Sequence, residues 1–489
     1  MTSSDSRADH GPVNDSRATT HTEPGATTAG APAPGTAADA SPPAPSSTRR
    51  LPALDVLRGI AILGTLLTNI WIFAGIAGGL DITGQGNAIP ESQGGSGTDS
   101  WVTLSSTFIQ NALNLVTDGK FIGLLTIMFG IGLEIQRQSA IRRGEKWPGR
   151  YPWRAGLLIL DGLLNYIFIF EFDVLMGYGL TGLVVAAVMA TSPKAQKIWM
   201  IIGITVHLAV IAFLDLATGL TDFGRDVGRD SDLPKPSPEE MERMRAEAES
   251  TLGLGEMGYW QQVASRLENF IGGRGEIPLM FTMGLGLFLV GAHLYRAGLF
   301  EERGAKLRKW TMILSFGIGL PIDWTLRLTD VGFGATTRYV TSSLVAFGIL
   351  ALVAAFYVRR TRRIDAGELP ADRPTGAVGH ALSLVGRMAL TCYIGQNLIA
   401  SIIFYKWGFN VSALIQGEWY TYWTLVIYLG IAGFLIGFSA LWLRRFPRGP
   451  VELVWHWSYE RICAALDRRK AKKDAKREAK LAGTAPATA

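Results

Sequence analysis

Residues 277–296 have the sequence IPLMFTMGLGLFLVGAHLYR, which contains no Asp, Glu or Lys and carries its one Arg at the last position. An α-helix rises about 1.5 Å per residue, so about 20 apolar residues are enough to cross the hydrocarbon core of a bilayer. The segment that follows, 297–309, is rich in Lys and Arg. An apolar run of this length with a basic flank predicts a transmembrane helix.

Apolar runs of similar length recur along most of the chain. Hydrophobic residues make up 48% of the 489 residues and charged residues only 18%, against about 25% charged residues in an average soluble domain. We therefore predict an all-α fold, a polytopic transmembrane helical bundle of about ten spans. The spans are expected near 55–77, 119–136, 155–171, 174–192, 198–218, 277–296, 309–328, 338–358, 384–405 and 421–443.

The joins between these runs differ in charge. Lys and Arg concentrate in 137–154, 297–309, 359–363 and the C-terminal tail, whereas 78–100 contains acidic residues and no Lys or Arg. Short loops rich in Lys and Arg stay on the cytoplasmic side of a membrane. With ten spans, all the basic joins fall on one side, and both termini are expected to be cytoplasmic.

The chain divides into three regions by composition. Residues 1–48 are rich in Ala, Pro, Thr and Ser, and with so few large apolar residues they are predicted to be disordered. Residues 49–460 form the predicted transmembrane helical domain, with an outer loop at 219–276 that is expected to carry two short amphipathic helices. Residues 461–489 are a basic cytoplasmic tail, and the lipid bilayer, with anionic lipid at this tail, is the expected partner.

Several classes of function are disfavoured by the sequence. The chain has no Walker loop, dinucleotide fingerprint, zinc-ligand spacing or nucleophile elbow. Its two cysteines, Cys392 and Cys463, predict neither a metal site nor a disulfide framework. The net charge of +6 is concentrated in the joins and the tail, so we expect no nucleic-acid partner. Because no metal-ligand spacing is present, we also expect no bound metal. The substrate class stays open between a small molecule, a glycan and a lipid.

Ionisable residues inside the apolar runs are candidates for function, because charge inside a bilayer is costly. Asp55 and Arg58 lie three residues apart, on one helical face, where the arginine can pair with the aspartate or bind a phosphate or carboxylate. Glu171 and Asp173 flank Phe172 in a very short join. Two carboxylates in apolar surroundings can act as acid, base or cation ligand, and a solvated turn is the alternative.

Further polar residues extend this set. Lys120 begins the second run, where a lysine is expected to reach the membrane interface. Asp161 and Asn165 are one helical turn apart and are expected to face the bundle interior, and Asp323 can pair with Arg327 four residues later. The predicted residues for substrate or donor binding are Asp55, Arg58, Lys120, Asp161, Asn165, Tyr178, Asp323, Arg387 and Gln396.

Five blocks of the sequence resemble, in the same order, the YeiB family of polytopic bacterial membrane proteins. They are RLPALDVLRGIAILG (50–64), DGKFIGLLTIMFGIGLEIQ (118–136), EFDVLMGYGL (171–180), VGRMALTCYIGQNLI (385–399) and RGPVELVWHWSYE (448–460). Members of that family are uncharacterised or are described as transporters. The resemblance implies a multi-pass protein of the bacterial cytoplasmic (inner) membrane.

The opening LDVLRG (54–59) is also similar to integral-membrane acyltransferases, which use a cytoplasmic acyl donor to modify sugars and lipids outside the cell. Many of those enzymes have a histidine base fourteen residues after the aspartate, where this chain has Asn69. YeiB relatives often have a histidine where this chain has Asn165. No cofactor is fixed by the sequence; the likeness implies acyl-coenzyme A as the donor. Because both base positions carry asparagine, Asp173 or Glu171 is expected to substitute as the base, and the predicted catalytic set is Asp173, Glu171 and Asn69.

Three functions from different classes fit these residues. The first is acyl transfer from a cytoplasmic donor to an envelope substrate at the outer face. The second is transport or export of a small or amphiphilic substrate along a path lined by Asp161, Asp323, Arg327 and Arg387. The third is a non-catalytic scaffold for envelope assembly. A tunnel that meets at Asn69 and Asp173 would favour acyl transfer, and a closed midplane site between repeats would favour transport.

The topology can be tested with reporter fusions in whole cells. A reporter that is active only in the cytoplasm is expected to be active after Arg150 or Arg363, because both lie in basic joins, and silent within 219–276. A periplasm-dependent reporter at the same positions is the control and should give the reverse pattern. Cytoplasmic activity within 219–276 would contradict the ten-span count.

Overall fold

The computed structural model describes residues 51–75, 101–230, 255, 257–329, 332–372, 374–415 and 417–482. The N-terminal segment 1–48 and the first predicted helix of the outer loop, near 241–250, lie outside these ranges. All regular structure within them is helical, which confirms the predicted all-α class.

The bundle is built from helices joined by short turns. Those of ten or more described residues are α1 (Pro52–Phe73), α2 (Trp101–Thr117), α3 (Lys120–Arg142), α4 (Tyr151–Phe168), α5 (Leu175–Val188), α6 (Pro193–Asp230), α7 (Tyr259–Glu268), α8 (Glu276–Arg296), α9 (Ala305–Leu314), α10 (Leu320–Thr329), α11 (Ser342–Asp365), α12 (Gly376–Arg387), α13 (Ala389–Phe404), α14 (Tyr420–Trp442) and α15 (Pro450–Ala482). One π-helical turn, Ser315–Gly319, joins α9 to α10, and another, Thr337–Thr341, precedes α11.

Among the described residues, six helical segments are long and apolar enough to cross a membrane. They are α1, the pair α2 and α3 taken together, α6, α8, the segment that ends with α11, and α14. The pair α12 and α13 adds a seventh if its two helices, bent by 85°, count as one span. These helices support a membrane-embedded protein. The count of ten spans and the cytoplasmic position of the termini stay predictions.

Glycines let the central helices approach closely. A side-chain carbon added at Gly130 of α3 would lie 2.1 Å from the carbonyl oxygen of Phe288 in α8. One added at Gly291 of α8 would lie 2.3 Å from the carbonyl oxygen of Ile127 in α3. Small residues at helix contacts are typical of membrane bundles, where backbone packing replaces a hydrophobic driving force. Both glycines therefore fix how closely α3 and α8 pack.

The basic join 143–150 contacts α5 and α15 at one end of the bundle. The indole nitrogen of Trp147 donates to the carbonyl oxygen of Ala186 at the end of α5, at 2.9 Å. Arg150 forms an ion pair with Asp467 of α15, at 2.8 Å. These contacts place the turn before α4 beside the C-terminal helix. We call this end of the molecule the basic end, defined by the joins 143–150 and 443–449.

At the opposite end, buried charges pair with one another. Lys120 at the start of α3 lies 2.6 Å from the Oδ2 atom of Asp323 in α10, and the two side chains are 2% and 0% exposed. Arg327 pairs with Asp323 at 3.3 Å and with Asp118 at 2.7 Å. Arg338 reaches the other carboxylate oxygen of Asp118 at 2.9 Å. Burial of charge is tolerated only with such partners, so these contacts tie α3, α10 and the turn before α11 together.

A sixth residue balances the charges. Glu276 at the start of α8 lies 3.6 Å from the guanidinium of Arg338 and accepts a hydrogen bond from the Tyr339 hydroxyl at 2.7 Å. Gly119 has a φ of 72°, and a side-chain carbon there would lie 2.1 Å from the carbonyl oxygen of Arg338. Three acids therefore face three cations. We call them the buried charge network: Asp118, Lys120, Glu276, Asp323, Arg327 and Arg338.

The network settles two predictions about single residues. The expected pair of Asp323 with Arg327 is confirmed by the 3.3 Å contact. The expectation that Lys120 reaches the membrane interface is wrong, because its side chain is 2% exposed and binds Asp323. The partner lies 203 residues further along the chain, where helical spacing around Lys120 gives no sign of it.

Three helices differ from the predicted runs. Helix α6 continues to Asp230, into the predicted outer loop, because no proline follows Pro193 until Pro234. The predicted single span at 384–405 is broken at Met388, where the chain turns by 85° between α12 and α13. Helix α15 runs continuously past residue 461, the predicted start of the tail. Helix α7 confirms the second helix expected in the outer loop.

The buried charge network predicts a double-mutant result. Lys120→Met leaves one carboxylate without compensation, and we expect the free energy of unfolding to fall by about 3–5 kcal/mol. Lys120→Met combined with Asp323→Leu keeps the remaining charges balanced and should recover at least half of that loss. Denaturant unfolding in detergent measures both. Equal losses in the single and double variants would contradict the pairing.

Candidate functional site

A cavity of about 470 Å³ lies between α1, α3, α4, α5, α13 and α15. Its volume is within the usual range for small-molecule sites, about 300–1,000 Å³. Its lining combines charged residues near the basic end with apolar and aromatic residues of the surrounding helices.

The mouth of the cavity carries three arginines. Arg58, Arg154 and Arg448 all line it. Arg154 donates to the Oε1 atom of Gln136 at 3.1 Å, and Arg58 forms the predicted pair with Asp55 at 3.3 Å while its side chain stays 38% exposed. Guanidinium groups present several donors in a fixed plane and suit phosphate or carboxylate ligands. The mouth is therefore a candidate anion site.

The walls beyond the mouth are apolar. They are formed by Ile62, Leu125, Met128, Phe129, Leu133, Leu158, Val174 and Leu175. Two tyrosines lie further in. The hydroxyl of Tyr178 is 3.0 Å from the Thr126 hydroxyl, and the hydroxyl of Tyr393 accepts a hydrogen bond from the backbone N–H of Val174 at 3.4 Å. Such walls suit an acyl or alkyl chain.

Helix α15 contributes a carboxylate to the same cavity. The break at Met388 leaves the first N–H groups of α13 without helical partners. The Oε1 atom of Glu452 accepts hydrogen bonds from the N–H groups of Leu390 and Thr391, at 2.8 and 3.1 Å, and Oε2 accepts from the Thr391 hydroxyl. A carboxylate at a helix N-terminus also compensates the helix dipole. Glu452 thus ties α15 to the start of α13.

Sequence reasoning missed the residues that α15 brings to the cavity. Arg448, just before α15, and Glu452 and His456 on it all line the cavity; the last two are four residues apart, so they share one helical face. None of these three residues was among the predicted site residues. The block at 448–460, which resembles the YeiB family, was the available signal.

The carboxylates of the join between α4 and α5 diverge. Asp173 is buried, and its two oxygens accept hydrogen bonds from the Asn165 amide and from the N–H of Met176, each at 3.0 Å. Glu171 points in another direction and pairs with Arg266 of α7 at 2.9 Å. The alternative of a solvated turn is wrong for Asp173, because its side chain is buried and caps the first turn of α5.

Two other predicted residues lie on the cavity side of α4. Asn165 is 1% exposed, and its Oδ1 atom has no hydrogen-bond partner in the described ranges. The Oδ2 atom of Asp161 is likewise buried without a hydrogen-bond partner. Both follow Leu158, which lines the cavity, at helical spacing. They therefore continue the lined face of α4 toward Asp173.

Several predicted residues do not line the cavity. Lys120 and Asp323 belong to the buried charge network at the opposite end. Arg387 ends α12 before the break, so it does not stand on a continuous ninth span as predicted. Gln396 is fully buried, one turn after Cys392, whose thiol lies 3.5 Å from the Ser439 hydroxyl of α14.

Asn69 is half-buried on α1. It stands seven residues after Ile62, which lines the cavity, and helical spacing puts both on one face. No group of His, Cys, Asp or Glu side chains within the described ranges could hold a metal ion. The residues that line the cavity are thus mainly arginines and apolar side chains, and polar residues lie beyond them on the same helices.

Comparisons with known proteins agree with the resemblance seen in the sequence. Residues 294–461 match a family described as a protein of unknown function, DUF418. The uncharacterized protein YxaH of Bacillus subtilis (strain 168) is 24% identical over 426 residues, which covers 84% of this chain and 94% of that protein. The uncharacterized protein YeiB of Escherichia coli (strain K12) is 26% identical over 431 residues, with coverage of 82% and 94%. No solved structure matches. The predicted likeness to the YeiB family is confirmed.

The role of Glu452 gives a stability prediction. Glu452→Ala removes the acceptor for two N–H groups of α13 and should lower the free energy of unfolding by about 1–2 kcal/mol. The control is Glu460→Ala on the same helix, where the side chain is exposed and binds His456. Denaturant unfolding of both variants is the measurement. A loss at Glu460→Ala as large as that at Glu452→Ala would rule out a capping role.

Proposed function

We propose that this chain is a membrane acyltransferase, which transfers an acyl group from a thioester donor bound in the cavity to a hydroxyl or amine acceptor near Asp173. The observation that carries the proposal is one cavity that joins three arginines to apolar walls and includes Val174, the residue after Asp173. The donor class is acyl-coenzyme A.

The charges at the mouth suit this donor. Coenzyme A carries a diphosphate, and Arg58, Arg154 and Arg448 line the mouth. Arginine binds phosphate oxygens through paired N–H groups, and such charge-assisted bonds are stronger than neutral ones. The cavity of about 470 Å³ would hold the pantetheine arm and a short acyl chain, while the nucleotide part lies outside on the basic end.

The reaction needs a base at the inner end of the donor. The acceptor oxygen attacks the thioester carbonyl carbon, so that a C–O bond forms and the C–S bond breaks. The hydroxyl proton passes to Asp173 and then to the departing thiolate. Asp173 is held by the Asn165 amide and the start of α5, each at 3.0 Å, and each of its oxygens keeps a second lone pair for a proton.

Transport is the alternative, and the geometry favours it less. A path with changing protonation was expected to include Asp323 and Arg327. Both are locked in the buried charge network by contacts of 2.6 to 3.3 Å, and moving either one would separate buried charges. A scaffold without a ligand has no need of three arginines beside an apolar cavity.

Binding and turnover of acetyl-coenzyme A by the purified full-length protein test the proposal. Arg58→Ala should weaken donor binding about tenfold, because it removes a charge-assisted hydrogen bond. Asp173→Asn should keep donor binding and reduce thioester turnover at least a hundredfold, since the amide cannot accept the proton.

The matched control is Arg303→Ala, an exposed arginine whose ion pair is with Glu301 and which does not line the cavity. It should leave donor affinity unchanged. If the parent does not bind acetyl-coenzyme A at millimolar concentration, the acyltransferase proposal is wrong and transport becomes the better account. Equal weakening by Arg58→Ala and Arg303→Ala would mean that the donor binds through general surface charge.

A further inference from the structure

Helix α7 buries polar residues and exposes apolar ones. Its inner side, which packs against the end of α4, includes Gln262 and Arg266, which are 1% and 2% exposed. Its outer side includes Trp260 and Leu267, which are 73% and 52% exposed. A surface helix of a soluble protein has the opposite pattern, with its apolar stripe facing the core. The large apolar side chains of α7 therefore face away from the bundle.

The polar residues on the inner side of α7 have partners. Arg266 forms an ion pair with Glu171 at 2.9 Å and donates to the amide oxygen of Gln262 at 3.2 Å. The hydroxyl of Tyr166 in α4 donates to the carbonyl oxygen of Arg266 at 3.1 Å. These contacts fix the rotation of α7 about its axis, and they determine which of its residues are exposed.

The exposed side of α7 divides into two sectors. Trp260, Ala264 and Leu267 are exposed and follow each other at intervals of four and three residues, so they lie on one face. Gln261 and Glu268 are also exposed, and each is one residue, or about 100°, further round the helix. We call the first set the apolar sector and the second the polar sector. A helix at the boundary between lipid and water is divided in this way.

The elements on both sides of α7 place it at the level of a membrane boundary. The turn Gly272–Arg274 leads from α7 to Glu276, where α8 begins, and α8 is long and apolar enough to cross a membrane. The hydroxyl of Tyr259, the first residue of α7, donates to the carbonyl oxygen of Phe168, the last residue of α4, at 3.1 Å. Helix α7 therefore lies where α4 ends and α8 begins.

An apolar face of α4 leads up to α7. The side chains of Trp153, Leu160, Leu164 and Phe168 are exposed, and their spacing of seven, four and four residues puts them on one face. Exposed apolar surface of this extent marks a contact with lipid or with another protein. Since α7 begins at Phe168, its apolar sector adjoins the end of this face.

We propose that α7 is an interfacial helix: lipid acyl chains cover its apolar sector, and its polar sector faces water. Tryptophan is enriched at membrane–water boundaries, which suits Trp260. The one basic residue of α7, Arg266, is buried against Glu171, so the exposed side has no cation for an anionic head group. The partner is therefore the acyl region of the bilayer, whatever the charge of the lipid.

This role goes beyond the proposed acyl transfer and does not depend on it. The inner side of α7 holds Glu171 through Arg266, and Asp173 follows two residues later in the join between α4 and α5. Lipid that covers the apolar sector therefore stabilises the helix that holds this join.

Spin labels at two adjacent positions test the proposal. Leu267→Cys and Glu268→Cys, each made in the full-length protein, are labelled with a nitroxide and reconstituted in phosphatidylcholine nanodiscs. Oxygen concentrates in lipid and a nickel chelate in water, so the ratio of their relaxation effects reports what surrounds each label. This ratio should be about tenfold higher at position 267 than at position 268. The parent gives the background of labelling, because Cys392 and Cys463 are both buried.

Two results of this experiment would overturn the proposal. A ratio at position 267 no higher than at position 268 would mean that both positions face water. A label at position 267 that neither reagent reaches would mean that the apolar sector is covered by protein, either another part of this chain or a second copy.

Hydrogen exchange gives an independent check that needs no label. Leu267→Ser removes an apolar side chain from lipid and should speed the exchange of the α7 amides about tenfold in the same nanodiscs. Glu268→Ser, at the adjacent exposed position, is the matched control and should leave that exchange unchanged. Equal effects of the two variants would contradict a lipid contact confined to the apolar sector.

Discussion

The pairing of Lys120 with Asp323, at 2.6 Å and out of contact with solvent, fixes the start of α3. Asp118 and Arg327 extend the pair toward the turn before α11, and Gly119 between the two charged residues is the only kind of residue that fits against Arg338. A buried charge that loses its partner costs several kcal/mol. The helices that meet at the buried charge network therefore tolerate only one alignment along their axes.

The alignment of these helices determines which residues line the cavity. Beyond the network, α3 presents Leu125, Met128 and Leu133 to the cavity, and its next turn places Gln136 beside Arg154. Charged residues have different kinds of partners at the two ends of the bundle. In the network three cations face three acids. At the mouth Arg58 pairs with Asp55, whereas Arg154 is held by the neutral Gln136 amide and lies 4.6 Å from the centre of the Tyr459 ring. Cations that neutral groups position keep their charge available to a ligand.

The sequence predicted what depends on local spacing. Apolar runs gave the all-α class, and the i,i+4 spacing gave the pair of Asp323 with Arg327. Burial of Asn165 followed from its place in the middle of an apolar run. Each of these features depends on residues only a few positions apart, so a single segment of sequence is enough to predict it.

Contacts between distant segments were beyond such reasoning. Nothing near Lys120 indicates that its partner lies 203 residues away. The break at Met388 has no proline to mark it; the carboxylate of Glu452, 62 residues after Leu390, supports the helix that starts there. Tertiary partners of this kind decide which polar residues line the cavity and which only hold helices together.

The central claim is that the cavity holds an amphiphile with its anionic group at the three arginines. An experimental density map of the full-length protein in lipid nanodiscs, with a non-hydrolysable acetyl-coenzyme A analogue, tests it most directly. We expect the diphosphate beside Arg58, Arg154 and Arg448 and the acyl end between Tyr178 and Tyr393. An analogue bound elsewhere, or a cavity closed by its own side chains in the presence of saturating analogue, would contradict the account.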